Sequence, residues 1–446
     1  MTEIFKQTEK LRKLLPPQNV QINVEYYPSQ FALSFTHKGK SYVFHTLTKQ
    51  CLETELPASC HAGAGYDDLV AGYFMVPRDK DEDAFYVSIL SLINTYYAND
   101  GNDYMILPTL GCNARCIYCF EKEMVPVSMT DETAEQTAKY IIDTHKAGKP
   151  VHLWWFGGEP LLGEKHIDLI CRKLGDAGIE YYSSMTTNGS LITPEIVEKM
   201  KKLWNLRGVS ISMEGPEEDY RRRKNYIKYH DEYHKVMEAV NMLVSAGMRV
   251  TVRCNVDKDN IDDIPAFIED MRLGVRNKEG ICLYLAVLND ERMGDNDLQV
   301  WGKVLSMDPL IEAAGFRTSS HQKSGVRFRS DHCLSDQGYS VISPEGKLFA
   351  CENCLPESLY GDVWNGSTEE AARKEFIRMD RVREKCCGCA FLPLCTPFSH
   401  CPEEDTHCRE VTQLFLLDTL RHNLDRKEKD EKTKTKTKDV SQGEEK

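Results

Sequence analysis

Between Tyr104 and Leu288 the chain repeats one pattern six times, a short strand-like run followed by a longer stretch with apolar residues at helical spacing. The strand-like runs are Tyr104 to Leu107, Val151 to Phe156, Tyr181 to Thr186, Gly208 to Ser212, Met248 to Val256 and Ile281 to Leu288. Amphipathic stretches such as Thr130 to Lys146, Lys165 to Asp176, Pro194 to Leu203 and Tyr233 to Ala246 lie between them. A strand that returns through a helix lies parallel to its predecessor, so the expectation is an α/β fold, a parallel sheet either open or curled into a partial (β/α)6 barrel of the TIM type. Chemistry in such sheets gathers where the strands end and the βα loops begin. Four unusual loops fall there: "LGCNARCIYCFE" after the first strand, "FGGEP" after the second, "TTNGS" after the third and "SMEGP" after the fourth.

The flanks read differently. Residues 1–100 are expected to form a small α+β module, with "FALSFTHKGKSYVFHTLT" as a hairpin turning at His37-Lys38-Gly39-Lys40 and "DEDAFYVSILSLINTYYAND" as a closing helix. The repeats occupy residues 101–300, and 301–424 read as a cysteine-rich domain ending in the helix "VTQLFLLDTLRHNL". The stretch 425–446, with its Lys-Thr repeats, has no apolar face and is expected to be a disordered charged tail.

A net charge of -13 argues against a nucleic-acid partner, and the basic run from Arg221 to Lys224 reads as a solvated turn beside a helix. No apolar run approaches the ~18 residues of a bilayer span. The opening "MTEIFKQTEKLRKLLPP" is charged where a signal peptide is apolar, so a cytoplasmic protein without membrane contact is expected. In a reducing compartment, clustered thiols among the 17 cysteines point to metal or redox chemistry rather than disulfides. Cys51, Cys60, Cys171, Cys254 and Cys282 are scattered and read as small apolar core residues. The dense groups are Cys112, Cys116 and Cys119, and a second set between residues 333 and 408. Three thiolates leave a metal valence open, where a structural zinc site closes with four; the second set fits a pair of zinc sites as well as it fits iron-sulfur clusters.

Cys112-x3-Cys116-x2-Cys119, with Tyr118 before the third thiol, resembles the signature of the radical S-adenosylmethionine (SAM) enzymes. The resemblance implies a [4Fe-4S] cluster on those thiolates, its open iron chelated by SAM, and reductive cleavage to a 5'-deoxyadenosyl radical that takes a hydrogen from the substrate. It also implies an electron donor such as flavodoxin or ferredoxin. Gly157, Gly158 and Glu159 are similar to the family motif that holds the SAM amino group, the glycines admitting main chain close to the ligand. The plainer reading is a strand-to-helix turn with Pro160 opening the helix. "VSISMEGP" resembles the family's Ser-x-Asp-Gly-Pro segment, which implies Ser212 on SAM, with Glu214 in place of the usual Asp. Asn188, in "TTNG", and Arg253, in "VRCNV", are further candidates for cofactor binding, each equally readable as a turn-former or salt-bridge partner.

The second cysteine set resembles the SPASM domain, the auxiliary-cluster extension of radical SAM enzymes that modify peptides and proteins. Cys333, Gly346 and Cys351 match the start of its pattern, and Cys386, Cys389 and Cys395 its middle; Ser399 stands where a cysteine is usual, and the thiol arrives at Cys401. The resemblance implies two auxiliary [4Fe-4S] clusters, three in all. Cys333, Cys351 and Cys401 would hold the first, with Cys354 as its fourth ligand or that iron open to substrate. Cys386, Cys389, Cys395 and Cys408 would hold the second. Within the family, the extension of about a hundred residues ahead of the triplet is similar to maturases of ribosomally made peptides, whose N-terminal modules grip a precursor's leader by adding it to a sheet edge. Phe31 to Thr46 would offer that edge. The expected activity is a thioether or carbon-carbon crosslink in a precursor peptide. The alternatives are a sulfatase-type formylglycine-forming maturase, in which Glu352 would stand where those enzymes carry a catalytic Asp, and a cysteine-rich metal-binding protein without turnover.

Overall fold

The computed structural model describes residues 2–5, 9–96, 102–228, 232–288, 297–318, 339–369, 371–373, 382, 384–394 and 408–443. The chain divides into two compact units, Met1–Ala98 with Ser320–His332 and Arg378–Lys446 in one, Asn99–Ser319 with Cys333–Ile377 in the other. The stretch 301–424, expected as one domain, is shared between them.

In the first unit a four-stranded antiparallel sheet has the order β1 (Thr2–Phe5), β5 (Cys51–Glu53), β4 (Lys40–His45), β3 (Ala32–His37), beside a three-stranded sheet of β6 (Cys60–His61), β2 (Glu25–Pro28) and β7 (Met75–Pro77). The β3–β4 hairpin turns on two residues, because Lys38 and Gly39 both take positive φ, 48° and 76°, as a tight primed turn requires. The helix Glu82–Tyr96 packs Tyr86 and Ile89 against Phe31 and Leu47. A long helix, Cys408–Gly443, brings Leu416, Leu420 and Leu424, four residues apart and hence on one face, against Phe35, Tyr42 and Phe44. It runs on through the stretch expected to be a disordered tail. Lys and Glu are strong helix formers, and the start of that stretch is tied down: Asp425 meets His37 at 2.8 Å and Lys38 at 2.6 Å, Glu428 meets Lys38 at 3.0 Å, and Lys427 donates to the Ile4 carbonyl at 3.0 Å.

The second unit is built on the six repeats. β8 (Asp103–Ile106), β9 (Val151–Trp155), β10 (Tyr181–Thr187), β11 (Leu206–Ser212), β12 (Arg249–Val256) and β13 (Ile281–Val287) pair in parallel, one after another. β8 and β13 do not pair with each other, so the strands form an open arc. Helices such as Glu164–Asp176, Pro194–Lys202 and Glu232–Ser245 bury their apolar faces against it, and Thr130 and Thr193 cap two of the helices that follow them. Beyond β13 the sheet gains β14 (Arg317–Thr318). At the other end β15 (Ser340–Ile342) pairs in parallel with β8 and begins an antiparallel run of β16 (Lys347–Phe349), β17 (Leu359–Asp362) and β18 (Gly366–Ser367). Gly346 turns the β15–β16 hairpin at φ +76°, where a Cβ would stand 2.5 Å from the Trp364 ring. The five scattered cysteines are all buried, as core residues should be. Among the described residues, no helix is long and apolar enough to cross a membrane.

Candidate active site

The cysteine loop is fixed by its own main chain before any ligand is considered. The Thr109 hydroxyl accepts from Gly111 N–H at 2.9 Å and bonds to Ser128 Oγ at 2.8 Å. From the β9 side, Gly158 N–H donates to the Thr109 carbonyl at 3.1 Å and Glu159 N–H to the Gly111 carbonyl at 2.9 Å. A Cβ on Gly157 would lie 2.3 Å from the Thr109 oxygen, and one on Gly158 2.4 Å from the Gly111 oxygen. The close approach these glycines permit is therefore to the cysteine loop. On its other side the loop bridges at Ala114 to Tyr226, with Ile117 N–H donating to the Arg223 carbonyl at 3.0 Å and Arg115 N–H to that of Lys224 at 3.1 Å.

All three thiols of the loop are half-buried. Burial pushes the Cys112 thiol up to about 11 and raises that of Cys119. Ala114 N–H points at Cys112 Sγ at 3.4 Å, and the Asn188 amide lies 3.9 Å from the same sulfur.

The other expected cofactor residues line one rim at the carboxyl ends of β9 to β12. Glu159 is fully buried, and its carboxylate accepts from Thr187 Oγ1 at 2.7 Å, Asn188 N–H at 2.8 Å and Leu161 N–H at 3.1 Å. Three of its roughly four lone-pair positions are thus taken by the chain itself. Asn188 follows β10; its amide donates to Asn113 Oδ1 at 2.8 Å, while its carbonyl oxygen accepts from the Ser190 hydroxyl at 2.7 Å. Ser212 and Arg253 are register partners on β11 and β12. Arg253 bonds Asn255 at 2.9 Å and lies 5.7 Å over the Tyr284 ring.

Beneath that rim lies a buried brace that the motif reading did not find. Glu214, whose role the motif left open, is fully buried. It accepts from the Tyr118 hydroxyl, from Asn255 N–H at 3.0 Å and from the Asn255 amide at 3.2 Å, and pairs with Lys224 at 3.4 Å. Lys224 is itself buried and donates to Ser212 Oγ at 2.5 Å. Burial works against its charge, but Cys116 and Glu214 hold it above the ordinary lysine range. Arg223, fully buried, forms a two-point pair with Asp257 at 3.1 and 2.8 Å. The basic run expected as a solvated turn is therefore split. Arg221 and Arg222 sit at the surface with Glu217 and Asp219, whereas Arg223 and Lys224 turn inward beneath the cysteine loop. Local charge alone does not reveal which side of a two-turn helix faces a core.

Just after β16, residues 351–354 close into a tight turn: Cys354 N–H donates to the Cys351 carbonyl at 3.0 Å, with Cys354 at φ +49°. Cys351 Sγ lies 4.0 Å from Glu352 Oε2, and burial raises the Glu352 carboxyl. Cys354 packs against the same buried cluster as Leu110 and Phe156, and burial with the charges of Glu121 and Glu352 pushes its thiol up to about 12. Glu121, two residues after Cys119, is pushed up to about 7 by burial, and its Oε1 has no hydrogen-bond partner. No motif marked it. In the first unit, Cys386 and Cys389 share one turn, with Cys389 N–H donating to the Cys386 carbonyl at 3.0 Å. Cys408 opens the long helix, and its neighbour Arg409 donates to the Lys385 carbonyl at 2.9 Å, beside Cys386. Cys333, Cys395 and Cys401 lie outside the described residues.

Residues 106–271 match the family model of the radical SAM superfamily. The chain is 30% identical over 323 residues to the AdoMet-dependent heme synthase of Nitratidesulfovibrio vulgaris, covering 64% of this chain and 84% of that protein. The chain belongs to the radical SAM superfamily. The radical SAM fold recurs in the solved structure of anSMEcpe, a sulfatase maturase, with bound AdoMet and Kp18Cys peptide, at a TM-score of 0.57, 18% identity, and coverage of 72% of this chain and 98% of that one. It recurs as well in Streptococcus suis SuiB, a peptide maturase, at a TM-score of 0.50, 13% identity, and coverage of 83% and 95%.

Membership implies SAM and a [4Fe-4S] cluster, and the residues fit them. Among the described residues, no three His, Cys, Asp or Glu side chains converge on a single metal ion. A cubane asks for something else, since each of its thiolates binds a different iron. The radical SAM loop supplies three thiols within reach of one another's charge, a main-chain N–H aimed at one sulfur, and a buried lysine beside Cys116. Donors and a cation around sulfur are what stabilises an anionic iron-sulfur site.

Proposed function

We propose that this radical SAM enzyme is a peptide maturase that forms a thioether or carbon-carbon crosslink in a ribosomally made precursor. When bound, the cluster and SAM supply reductive cleavage to a radical that abstracts hydrogen. The chain's residues do the rest. Cys112, Cys116 and Cys119 would hold the cluster, and Asn188, Ser212 and Arg253 line the rim where SAM would lie. The braced loop keeps both from shifting while a substrate hydrogen is approached, and geometry held to within about 1 Å is worth orders of magnitude in rate. Cys351 and Cys354 would hold the first auxiliary cluster, with Cys333 and Cys401, and Cys386, Cys389, Cys395 and Cys408 the second.

The observation that carries the peptide reading is the N-terminal four-stranded sheet. Among the described residues β3 has a single strand neighbour, β4, so its outer edge suits an added leader strand. Incubating the enzyme, SAM and a reductant with short Cys- or aromatic-rich peptides encoded beside its gene should yield a product lighter by two hydrogens. A product that has also lost sulfur would favour conversion of a substrate cysteine to formylglycine instead, with Glu352 as the acid/base group. Kinship to a heme synthase over most of that protein's length favours a second reading, a small tetrapyrrole substrate. Stimulation of 5'-deoxyadenosine release by an iron porphyrin, with no response to any peptide, would establish it.

A further inference from the structure

The cysteine loop at 384–394 is held by the N-terminal module. Thr46, at the end of the β3–β4 hairpin, donates its hydroxyl to the Ala390 carbonyl at 2.6 Å. Lys49, buried and at φ +61°, reaches the Pro393 carbonyl at 3.1 Å and also bonds the Thr46 carbonyl. Asp83, on the helix Glu82–Tyr96, accepts from Gly388 N–H at 2.9 Å. The same loop is anchored by apolar contacts. Leu392 is buried among Leu15, Phe31, Tyr86 and Ile89, with Cys386 and Cys389 packed against that cluster. Phe391 is buried with Phe44 and Leu420.

An eleven-residue loop carrying three thiols, Cys386, Cys387 and Cys389, has little side chain of its own to bury, and its main-chain polar groups need partners once water is excluded. Here those partners come from residues more than 300 positions earlier in the chain. Thiolates that hold a cluster need a loop that keeps its shape when the metal exchanges, and hydrogen bonds outside the ligands set that shape.

We propose that Thr46, Lys49 and Asp83 are positioning residues of the distal metallocluster site, so that the N-terminal module forms one wall of that site. The proposal rests on the reading of Cys386, Cys389 and Cys408 as cluster ligands. An N-terminal module of this kind does more than receive a peptide: it governs how tightly the distal iron is retained.

The test uses the full chain, purified without oxygen and fully loaded with iron, and follows iron release to a ferrous chelator. In the parent, release should be slow for all of the roughly twelve irons of three four-iron clusters. Thr46→Val keeps the shape of the side chain and removes the hydrogen bond; Lys49→Met removes the hydrogen-bonding nitrogen while filling its space. In each variant about a third of the iron should leave several-fold faster, and the electron paramagnetic resonance signal of one auxiliary cluster should broaden while the SAM-dependent signal stays unchanged. Thr46→Ser should behave as the parent. A chain carrying Cys386→Ala and Cys389→Ala should lack the fast fraction, which assigns it to this site. Parent-like release and spectra in both Thr46→Val and Lys49→Met overturn the proposal. A parent that holds no iron beyond the triplet's and Cys351's clusters overturns the underlying reading of the distal thiols, and the proposal with it.

Discussion

Glycine and carboxylate positions at the site act through a few ångströms of main chain. Gly158 has no room for a Cβ, 2.4 Å from the Gly111 oxygen, so Gly158→Ala must displace the cysteine loop. The expected result is loss of SAM cleavage and of the triplet's iron. Gly175→Ala, at a helical site with nothing within 4 Å, should leave both intact and add up to about 1 kcal/mol of stability in urea unfolding. Glu214→Ala strands a buried lysine and should destabilise by about 3–5 kcal/mol in the same measurement, whereas Glu214→Gln, which keeps most hydrogen bonds, should cost less. The Gly-Gly-Glu motif was legible because glycine at such spacing is rare without cause. Glu214 and Lys224 were not, because nothing local in "SMEGPEEDYRRRKNY" states which charges face the core. Only the register of β11 beside β12 brings Asn255 to meet them.

Elements repeat this division between what is local and what is not. The six strands of the arc were readable to within a residue or two, since alternation and β-branched content are local properties. So was the Lys38-Gly39 turn. The distal cysteine loop's attachment was not, since Asp83 and Gly388 are 305 residues apart. The N-terminal sheet also has a pH limit. His45 is buried, with Nε2 toward the Tyr73 carbonyl at 3.0 Å and Nδ1 accepting from Thr48 N–H at 3.1 Å, and burial lowers its pKa to about 3. The unfolded chain binds a proton at His45 near pH 6.5 and the folded one does not, so stability is full above that pH and falls as the pH drops toward 3. Going from pH 7 to 5 should cost about 2 kcal/mol through this residue. Urea midpoints measured at both values should show that loss in the parent and little of it in His45→Gln.

At the scale of the whole chain, the proposed metal sites should be separable by substitution. Changing Cys112, Cys116 and Cys119 together to Ala should abolish 5'-deoxyadenosine formation and remove about a third of the iron, leaving the auxiliary thiols loaded. Undiminished SAM cleavage in that variant would place the reactive cluster elsewhere. Removing residues 1–100 should do more than lower the affinity for a precursor. It should release the iron held by the 384–394 loop, because that loop's hydrogen-bond partners go with it. Iron analysis of a soluble truncation checks this directly, and a full complement would show the module to be dispensable there.

The strand β8 that delivers the cysteine triplet is also the strand on which β15 lies, with Val341 beside Met105 and Ile342 beside Ile106. The hairpin bearing Cys351 is thus hung from the same ladder as Cys112. A ladder has rungs, and its pairing slips only by whole residues, each shift being about 3.3 Å and turning every side chain to the other face. The span between the loop bearing Cys112 and the turn bearing Cys351 is therefore tied to the register of one strand pair. Drift in the surrounding loops during evolution can lengthen or shorten the chain between them without retuning that span.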